Sequence, residues 1–215
     1  MKVAVLSSGG KDSSAAIWWA QCKGWDVTHL VTMLVQGNDS WMFQIPGTSL
    51  VERQAKLCDC EWLAIPTQGV PEDEVIDLKI ALSSLDIDGI VSGALRSDYQ
   101  KTRLERMCEE LGIISFTPLW HQSSNSHMEN LVKNGFKVMI TGVSCDGLGE
   151  NWLGCILDEN SLNELDSLAK KFRFHVDGEG GEYETLVVAG PHMKGELELN
   201  YETHWDGVRG HLSFS

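Results

Sequence analysis

Short apolar segments alternate with longer helix-like segments through the first half of the chain. Residues 3–6 are apolar and partly β-branched, glycines follow at positions 9 and 10, and residues 15–20 form an apolar-rich run after polar residues. Short β-branched runs that end at glycine are typical of strands, whereas longer runs preceded by capping residues are typical of helices. The start of the chain therefore predicts a strand, a glycine turn and a helix.

The same alternation continues to residue 117. It predicts four further strands at residues 27–35, 62–65, 89–93 and 113–117, with helices at residues 50–57, 72–85 and 99–111. Parallel strands need crossover connections, which are usually helices, so this order indicates an α/β fold. We expect a five-stranded parallel sheet with helices on both faces.

The pattern changes after Pro118. It predicts helices at residues 127–134 and 161–171 and strands at residues 137–143, 184–188 and 196–201. These elements indicate a smaller C-terminal α/β lobe. We place the boundary near residue 120, which gives domains of residues 1–120 and 121–215.

Composition and charge exclude several classes of protein. The chain has 215 residues, 42% of them hydrophobic, which is enough to bury a core. No apolar run approaches the roughly 18 residues that cross a bilayer, and the N-terminal apolar segment is short for a secretory signal, so we expect a cytoplasmic protein without a membrane partner.

The net charge of −14 opposes direct nucleic-acid binding. Residues 146–215, with 5 basic and 14 acidic groups, form either a well-solvated surface or a docking face for a cation.

The six cysteines and seven histidines show no metal-binding spacing. Cys58 and Cys60 form the closest cysteine pair, but no second pair completes the four ligands that structural zinc requires. Packing of both residues is the simpler interpretation, and we expect no metal site in the protein itself.

The most informative segment is residues 8–13, SGGKDS, between the first strand and the first helix. It matches neither the Walker A pattern nor G-x-G-x-x-G. Two glycines allow the backbone to approach an anion closely, and the N-terminus of the helix attracts negative charge. The segment predicts a polyphosphate cradle; the alternative is a plain glycine turn with Asp12 or Ser13 as the N-cap.

Two further segments carry candidate chemistry. Tyr99 and Arg103 are four residues apart, so on a helix they face one side, where Arg103 either binds a phosphate or carboxylate or pairs with a nearby acid. Residues 179–182, EGGE, place flexible backbone between carboxylates. They form either a loop that folds over a ligand or a plain acidic turn.

The SGGKDS segment resembles the loop of the N-type ATP pyrophosphatases, or PP-loop enzymes. Residues 93–105, GALRSDYQKTRLE, and residues 179–187, EGGEYETLV, resemble the diphthine–ammonia ligase family in its compact archaeal form. The resemblance implies an ATP-dependent ligase that amidates diphthine on translation elongation factor 2 with ammonia. It also implies an acyl-adenylate intermediate and release of AMP and pyrophosphate.

The resemblance also implies that the first domain binds ATP and that the second domain binds the substrate. It implies ATP and Mg2+ as cofactors, together with a set of site residues. The implied catalytic residues are Lys11, Arg103 and Glu182. The implied ATP-binding residues are Ser8, Gly9, Gly10, Lys11, Asp12, Ser13, Met33, Gly93 and Ala94. The implied substrate-binding residues are Ser97, Tyr99, Gln100, Glu179, Gly181, Tyr183, Glu184 and Thr185.

Diphthine carries a trimethylammonium group, which aromatic faces and carboxylates attract. Our preferred set for this group is Tyr183 with Glu182 and Glu184, and the further candidates are Trp41, Trp120 and Trp152. One departure from the family concerns residues 41–48, where relatives tend to have histidine and asparagine and this chain has Gln44, Pro46 and Gly47.

Several partners and alternatives stay open at this point. We expect elongation factor 2 as the protein substrate and ammonia taken from solution, and a homodimer is one option for the assembly. Two alternatives to the ligase are a PP-loop ligase or pyrophosphatase with another substrate, and a regulator that binds ATP or AMP without turnover.

Overall fold

The computed structural model describes residues 1–35, 48–68 and 70–215. The elements before residue 120 are β1 (Lys2–Leu6), α1 (Lys11–Cys22), β2 (Asp26–Val35), α2 (Thr48–Leu57), β3 (Glu61–Thr67), α3 (Pro71–Leu82), β4 (Gly89–Val91), α4 (Asp98–Leu111) and β5 (Ile114–Phe116). The later elements are α5 (Ser124–Lys133), β6 (Lys137–Val143), a short 3-10 helix (Glu150–Trp152), α6 (Glu159–Phe172), β7 (Tyr183–Ala189), β8 (Tyr201–Trp205) and β9 (Gly210–Phe214).

The first five strands form a parallel sheet in the order β3-β2-β1-β4-β5. Successive residues of β1 point to opposite faces of this sheet. Val3 and Val5 pack in a core with residues of α1 and α2, whereas Ala4 packs in a second core with residues of α3 and α4. The predicted α/β class with helices on both faces is confirmed.

The later strands form an antiparallel sheet in the order β7-β6-β9-β8. The smaller lobe is therefore present as predicted, with α5 and α6 contributing buried side chains such as Leu131 and Leu165. The strand predicted at residues 196–201 is wrong, because Glu196 makes only an isolated bridge and the strand begins at Tyr201. Glu and Leu alternate at residues 196–199, and this two-residue period is the same as that of a strand.

Helix ends follow local capping chemistry. The Ser97 side chain accepts a hydrogen bond from the Gln100 N–H at the start of α4, and Gly112 ends this helix with φ 71°. Asp158 and Ser161 form a reciprocal capping box at the start of α6. Such caps satisfy backbone groups that a helix leaves without an internal partner.

The described chain divides into two compact units. The first unit consists of Met1–Ser8 and Asp12–Trp120, and the second consists of Gly9–Lys11 and His121–Ser215. The ATP-binding and substrate-binding roles assigned to the two domains stay predictions. Among the described helices, none is both long and apolar enough to cross a membrane.

His192 is a titratable side chain in the interior of the second unit. It is 4% exposed, and its ring stacks on Phe136 with 5.3 Å between the ring centroids. Burial disfavours the charged imidazolium and lowers the pKa of His192 from 6.5 to about 4. Between these two values the unfolded chain binds a proton that the folded chain does not bind.

We expect the free energy of unfolding to fall as pH drops from about 6.5 to about 4, with His192 contributing up to about 3 kcal/mol of this loss. Above pH 6.5 the contribution of neutral His192 is fully present. Urea unfolding at pH 7 and pH 5 measures the change, and His192→Asn should reduce it. The exposed His121 serves as the control, because His121→Asn should keep the pH dependence of the parent protein. Equal pH dependence in all three proteins would contradict the assignment.

Candidate functional site

The end of β1 is held firmly against the neighbouring strand. The Ser7 N–H donates to the Val31 oxygen over 2.8 Å, and the Thr32 hydroxyl donates to the Ser7 oxygen over 2.9 Å. The Trp62 indole N–H donates in turn to Thr32 Oγ1 over 3.0 Å. Sequence reasoning missed Ser7 and Trp62, which together fix the position from which the glycine turn starts.

The turn after β1 has the conformation that its glycines predict. Gly9 has φ 83°, a left-handed conformation that glycine adopts without a Cβ clash. Because α1 begins at Lys11, Asp12 and Ser13 lie within its first turn, which argues against either residue as the N-cap. Lys11 is only 5% exposed, and Ser13 is also buried.

Gly93, which follows β4, approaches the start of α1 closely in the first unit. A Cβ atom at Gly93 would lie 2.6 Å from the Asp12 carbonyl carbon and 2.8 Å from the Ser13 nitrogen. Since β1 and β4 are neighbours and the strand order reverses between them, this is the edge where open α/β sheets bind ligands. The structure therefore brings Gly93 together with Asp12 and Ser13, and Ala94 follows directly.

In the second unit, the turn residues Gly9–Lys11 are hydrogen-bonded to β7. The Val187 N–H donates to the Gly9 oxygen over 3.0 Å, and the Lys11 N–H donates to Thr185 Oγ1 over 3.2 Å. Thr185 was predicted to bind substrate. Its hydroxyl instead contacts the backbone of the residue that we expect to bind phosphate, which favours a positioning role.

The predicted pairing on α4 is confirmed. The Arg103 guanidinium carbon lies 3.3 Å from the centroid of the Tyr99 ring, which is half exposed. Ser97 and Gln100 form the N-terminal cap of this helix, so both have a structural role there. The partly buried side chain of Met33 packs against the core beneath α3 and α4, and the contact of its backbone with adenine stays a prediction.

The EGGE segment forms a tight loop within the second unit. Glu182 Oε1 accepts from the His175 N–H and Oε2 accepts from the Gly180 N–H, both over 2.8 Å. Gly181 has φ 78°, and its oxygen accepts from the Ser144 hydroxyl over 2.5 Å. Both carboxylate oxygens of Glu182 thus hold the loop together, which favours a structural role over the predicted proton transfer. Glu179 and Glu184 are exposed.

The preferred aromatic set for the trimethylammonium group needs correction. Tyr183 is 4% exposed and its hydroxyl donates to the Val176 oxygen over 2.6 Å, so its ring belongs to the core of the second unit. Trp152 is also buried, and Lys101 lies over the ring of Trp120 at 5.3 Å from the centroid. Trp41 lies outside the described residues, as do Gln44, Pro46 and Gly47.

Cys58 and Cys60 pack against the core beneath α1 and α2. A hydrogen bond with Cys60 and burial raise the pKa of the Cys58 thiol, and Cys60 Sγ donates to the Ala55 oxygen. These contacts support the packing interpretation of the pair. Among residues 1–35, 48–68 and 70–215, no three or more His, Cys, Asp and Glu side chains are grouped as a metal site requires.

The fold and the turn together define the class of protein. A doubly wound parallel sheet whose first strand is followed in sequence by a Gly-Gly-Lys segment is an α/β protein of the PP-loop type. Two family models match this chain: the diphthamide synthase N-terminal domain over residues 1–115 and the diphthamide synthase C-terminal domain over residues 123–215. The chain belongs to the diphthamide synthase family.

Curated relatives agree with this family. A diphthine–ammonia ligase of Schizosaccharomyces pombe is 31% identical over 93% of this chain, which spans 36% of that longer protein. The diphthine–ammonia ligase of Homo sapiens is 31% identical over 92% of this chain and 82% of its own length. A solved structure described as a predicted subunit of tRNA methyltransferase from Methanocaldococcus jannaschii has a TM-score of 0.50 at 20% identity. The match between the two covers 92% of this chain and 100% of the solved chain. At this identity the similarity supports the fold alone.

Gly93→Ala tests the close approach at the start of α1. The added methyl group would meet backbone atoms of Asp12 and Ser13, so we expect a loss of about 1–3 kcal/mol in the free energy of unfolding. Gly149→Ala is the control, because its Cβ would meet only the Asn151 side chain at 3.0 Å. Denaturant unfolding of the two variants measures the difference, and equal stabilities would contradict a packed Gly93.

Thr185→Val tests the bond to the Lys11 backbone. Valine keeps the shape of threonine but cannot accept a hydrogen bond, so we expect a loss of about 1 kcal/mol in stability and faster hydrogen exchange at the Lys11 amide. Thr185→Ser keeps the acceptor and is the matched control. If both variants leave the Lys11 amide as protected as in the parent protein, Thr185 does not hold the turn.

Proposed function

We propose that this protein is an ATP-dependent ligase that converts diphthine on elongation factor 2 to diphthamide with ammonia. The observation that carries the proposal is the Gly9–Lys11 turn, bonded to Thr185 and Val187 in the EGGEYETLV segment that resembles the ligase family. Membership in the diphthamide synthase family supports the substrate. We further propose that the protein acts in the cytoplasm.

The turn suits the polyphosphate of ATP. Gly9 and Gly10 have no side chains to keep an anion away, and the first turn of α1 adds a partial positive charge. Gly93 approaches the Asp12 backbone so closely that position 93 has no room for a side chain. Asp12 is the carboxylate of this turn, and Mg2+ commonly binds one or two carboxylates together with phosphate oxygens. When bound, Mg2+ would neutralise phosphate charge.

The proposed chemistry has two steps. A carboxylate oxygen of diphthine attacks the α-phosphorus of ATP, and the bond to the β-phosphate breaks to release pyrophosphate. Ammonia then attacks the acyl carbon, loses a proton, and expels AMP. Lys11 stabilises the charge on the leaving pyrophosphate, and its burial strengthens this interaction because water screens it poorly.

Arg103 is the proposed contact for the substrate carboxylate or a phosphate. Its guanidinium carbon lies 3.3 Å from the centroid of the Tyr99 ring, and this contact restricts the motion of a group that can bind a carboxylate or phosphate in a bidentate manner. Glu179 and Glu184 are exposed carboxylates of the acidic second unit, and we assign them to attraction of the trimethylammonium group. The rings of Tyr99 and Trp120 are already occupied by Arg103 and Lys101, so we assign neither ring to the trimethylammonium group.

The direct test incubates the protein with ATP, Mg2+, ammonium and elongation factor 2 that carries diphthine. We expect the amount of AMP formed to equal the amount of elongation factor 2 that is amidated. The mass of the amidated factor should show that an amino group has replaced a hydroxyl group. Lys11→Met keeps the apolar stem but removes the charge, and should lower the rate by about 100- to 1,000-fold. Lys23→Met, at an exposed position directly after α1, is the matched control and should leave the rate unchanged.

Other outcomes distinguish the alternatives. AMP without a mass change in the factor would contradict the diphthine substrate and favour a PP-loop enzyme that adenylates another molecule. Tight ATP binding without any AMP would contradict catalysis and favour a regulator. Thermal unfolding of Lys11→Met and Lys23→Met separates a lost charge from a lost fold.

A further inference from the structure

The edge strand β8 has a strand neighbour on one side only in the described structure. It lies at one end of the sheet order β7-β6-β9-β8, where β9 is its partner. At the opposite end, the Val187 N–H of β7 donates to the Gly9 oxygen. Residues 201–204 of β8 are all exposed. An exposed edge strand presents backbone groups that can pair with another strand.

The register of β8 shows which backbone groups point outward. In an antiparallel pair, hydrogen-bonded and non-bonded residue pairs alternate. The Ser215 N–H donates to the Asn200 oxygen and the Asp206 N–H donates to the Arg209 oxygen, so even-numbered residues between them bond to β9. The N–H and C=O groups of the odd-numbered residues of β8 therefore point to the open edge. These residues are Tyr201, Thr203 and Trp205.

We propose that β8 pairs antiparallel with β8 of a second copy of this chain, about a two-fold axis at Thr203. This register places Thr203 opposite Thr203 of the copy and Tyr201 opposite its Trp205. All three outward-pointing residues then occupy hydrogen-bonded positions, which gives six backbone hydrogen bonds across the axis. No other two-fold register of the strand satisfies all of these groups.

The side chains of β8 are complementary to themselves in this register. Glu202 lies opposite His204 of the copy at a non-bonded position, where side chains approach most closely. His204 Nε2 bonds to Ser213 Oγ over 2.7 Å, so the Glu202 carboxylate of the copy accepts from the other ring nitrogen, Nδ1, and both residues are exposed. Tyr201 and Trp205 form an aromatic pair on the other face, and such cross-strand pairs stabilise sheets.

The composition of β8 lacks the features that usually keep an edge strand from pairing with another chain. Edge strands that avoid association usually carry lysine, proline or a bulge. YETHW contains neither lysine nor proline, and its register with β9 runs without a bulge from Tyr201 to Trp205. The like net charge of two copies opposes association at long range, but the Glu202–His204 pairs place a hydrogen-bond acceptor beside a donor at the axis.

A five-residue pairing buries a small area, so the dimer is weak and reversible. Stable protein interfaces usually bury more than about 1,200 Å², whereas smaller ones belong to transient complexes. We expect the mean mass in sedimentation equilibrium to rise from 23.8 kDa toward twice that value as the concentration increases from about 1 µM to about 1 mM. The rise should be fully reversible on dilution.

Two substitutions at the axis test the register. Thr203→Pro removes an outward N–H that no residue of β9 uses, and Thr203→Lys places two like charges opposite each other. Both variants should stay at 23.8 kDa over the whole range while keeping the thermal stability of the monomer. Thr102→Lys, the same change at an exposed site on α4, is the matched control and should dimerise like the parent protein.

Amide hydrogen exchange gives a second readout that a misfolded variant cannot imitate. In the parent protein, protection of the Tyr201, Thr203 and Trp205 amides should increase with concentration, whereas the Glu202 and His204 amides should be protected throughout. A single-chain mass at every concentration, or dimerisation of both Thr203 variants, would overturn the proposal. Protection of the odd-numbered amides only after addition of elongation factor 2 would overturn it in favour of a strand from the protein substrate.

Discussion

The first unit depends on burial of β1 on both faces. Val3 and Val5 pack beneath α1 and α2, and Ala4 packs beneath α3 and α4, so the strand cannot shift by one residue without moving side chains into the wrong core. This fixed register determines where the strand ends at Leu6 and where Ser7 follows it. The glycine turn therefore starts at a defined point beside β4, where the strand order reverses.

The residues of the glycine turn and its flanks are divided between the two units. Ser8, Asp12 and Ser13 belong to the first unit, whereas Gly9–Lys11 belong to the second, through backbone hydrogen bonds and the Thr185 hydroxyl of β7. Thr185 and Val187 are alternate residues of this strand, so both contact the turn along one edge. The turn residues Gly9–Lys11 therefore depend on β7 as well as on their glycines, and Thr185 and Val187 of the EGGEYETLV segment make these bonds.

Residue spacing predicted one contact correctly, whereas the contacts of two predicted site residues favour other roles. The four-residue spacing of Tyr99 and Arg103 was enough to predict their contact, because helix geometry is local. Glu182 and Tyr183 carry suitable chemistry for a substrate cation, but the carboxylate bonds to its own loop and the ring is buried. Sequence cannot distinguish these roles, since burial and backbone partners depend on where residues 175 and 176 lie in the folded chain.

The sequence by itself determined the alternation of strands and helices, the parallel sheet of the first unit, the glycine turn and the family. These features follow from local periodicity and from short motifs whose chemistry is independent of distant residues. Only the tertiary structure decided that Gly93 contacts the start of α1, that Thr185 holds Lys11, and that the strand after residue 196 begins at Tyr201. Each of these depends on atoms far apart in the chain, which meet only after the sheets have set their register.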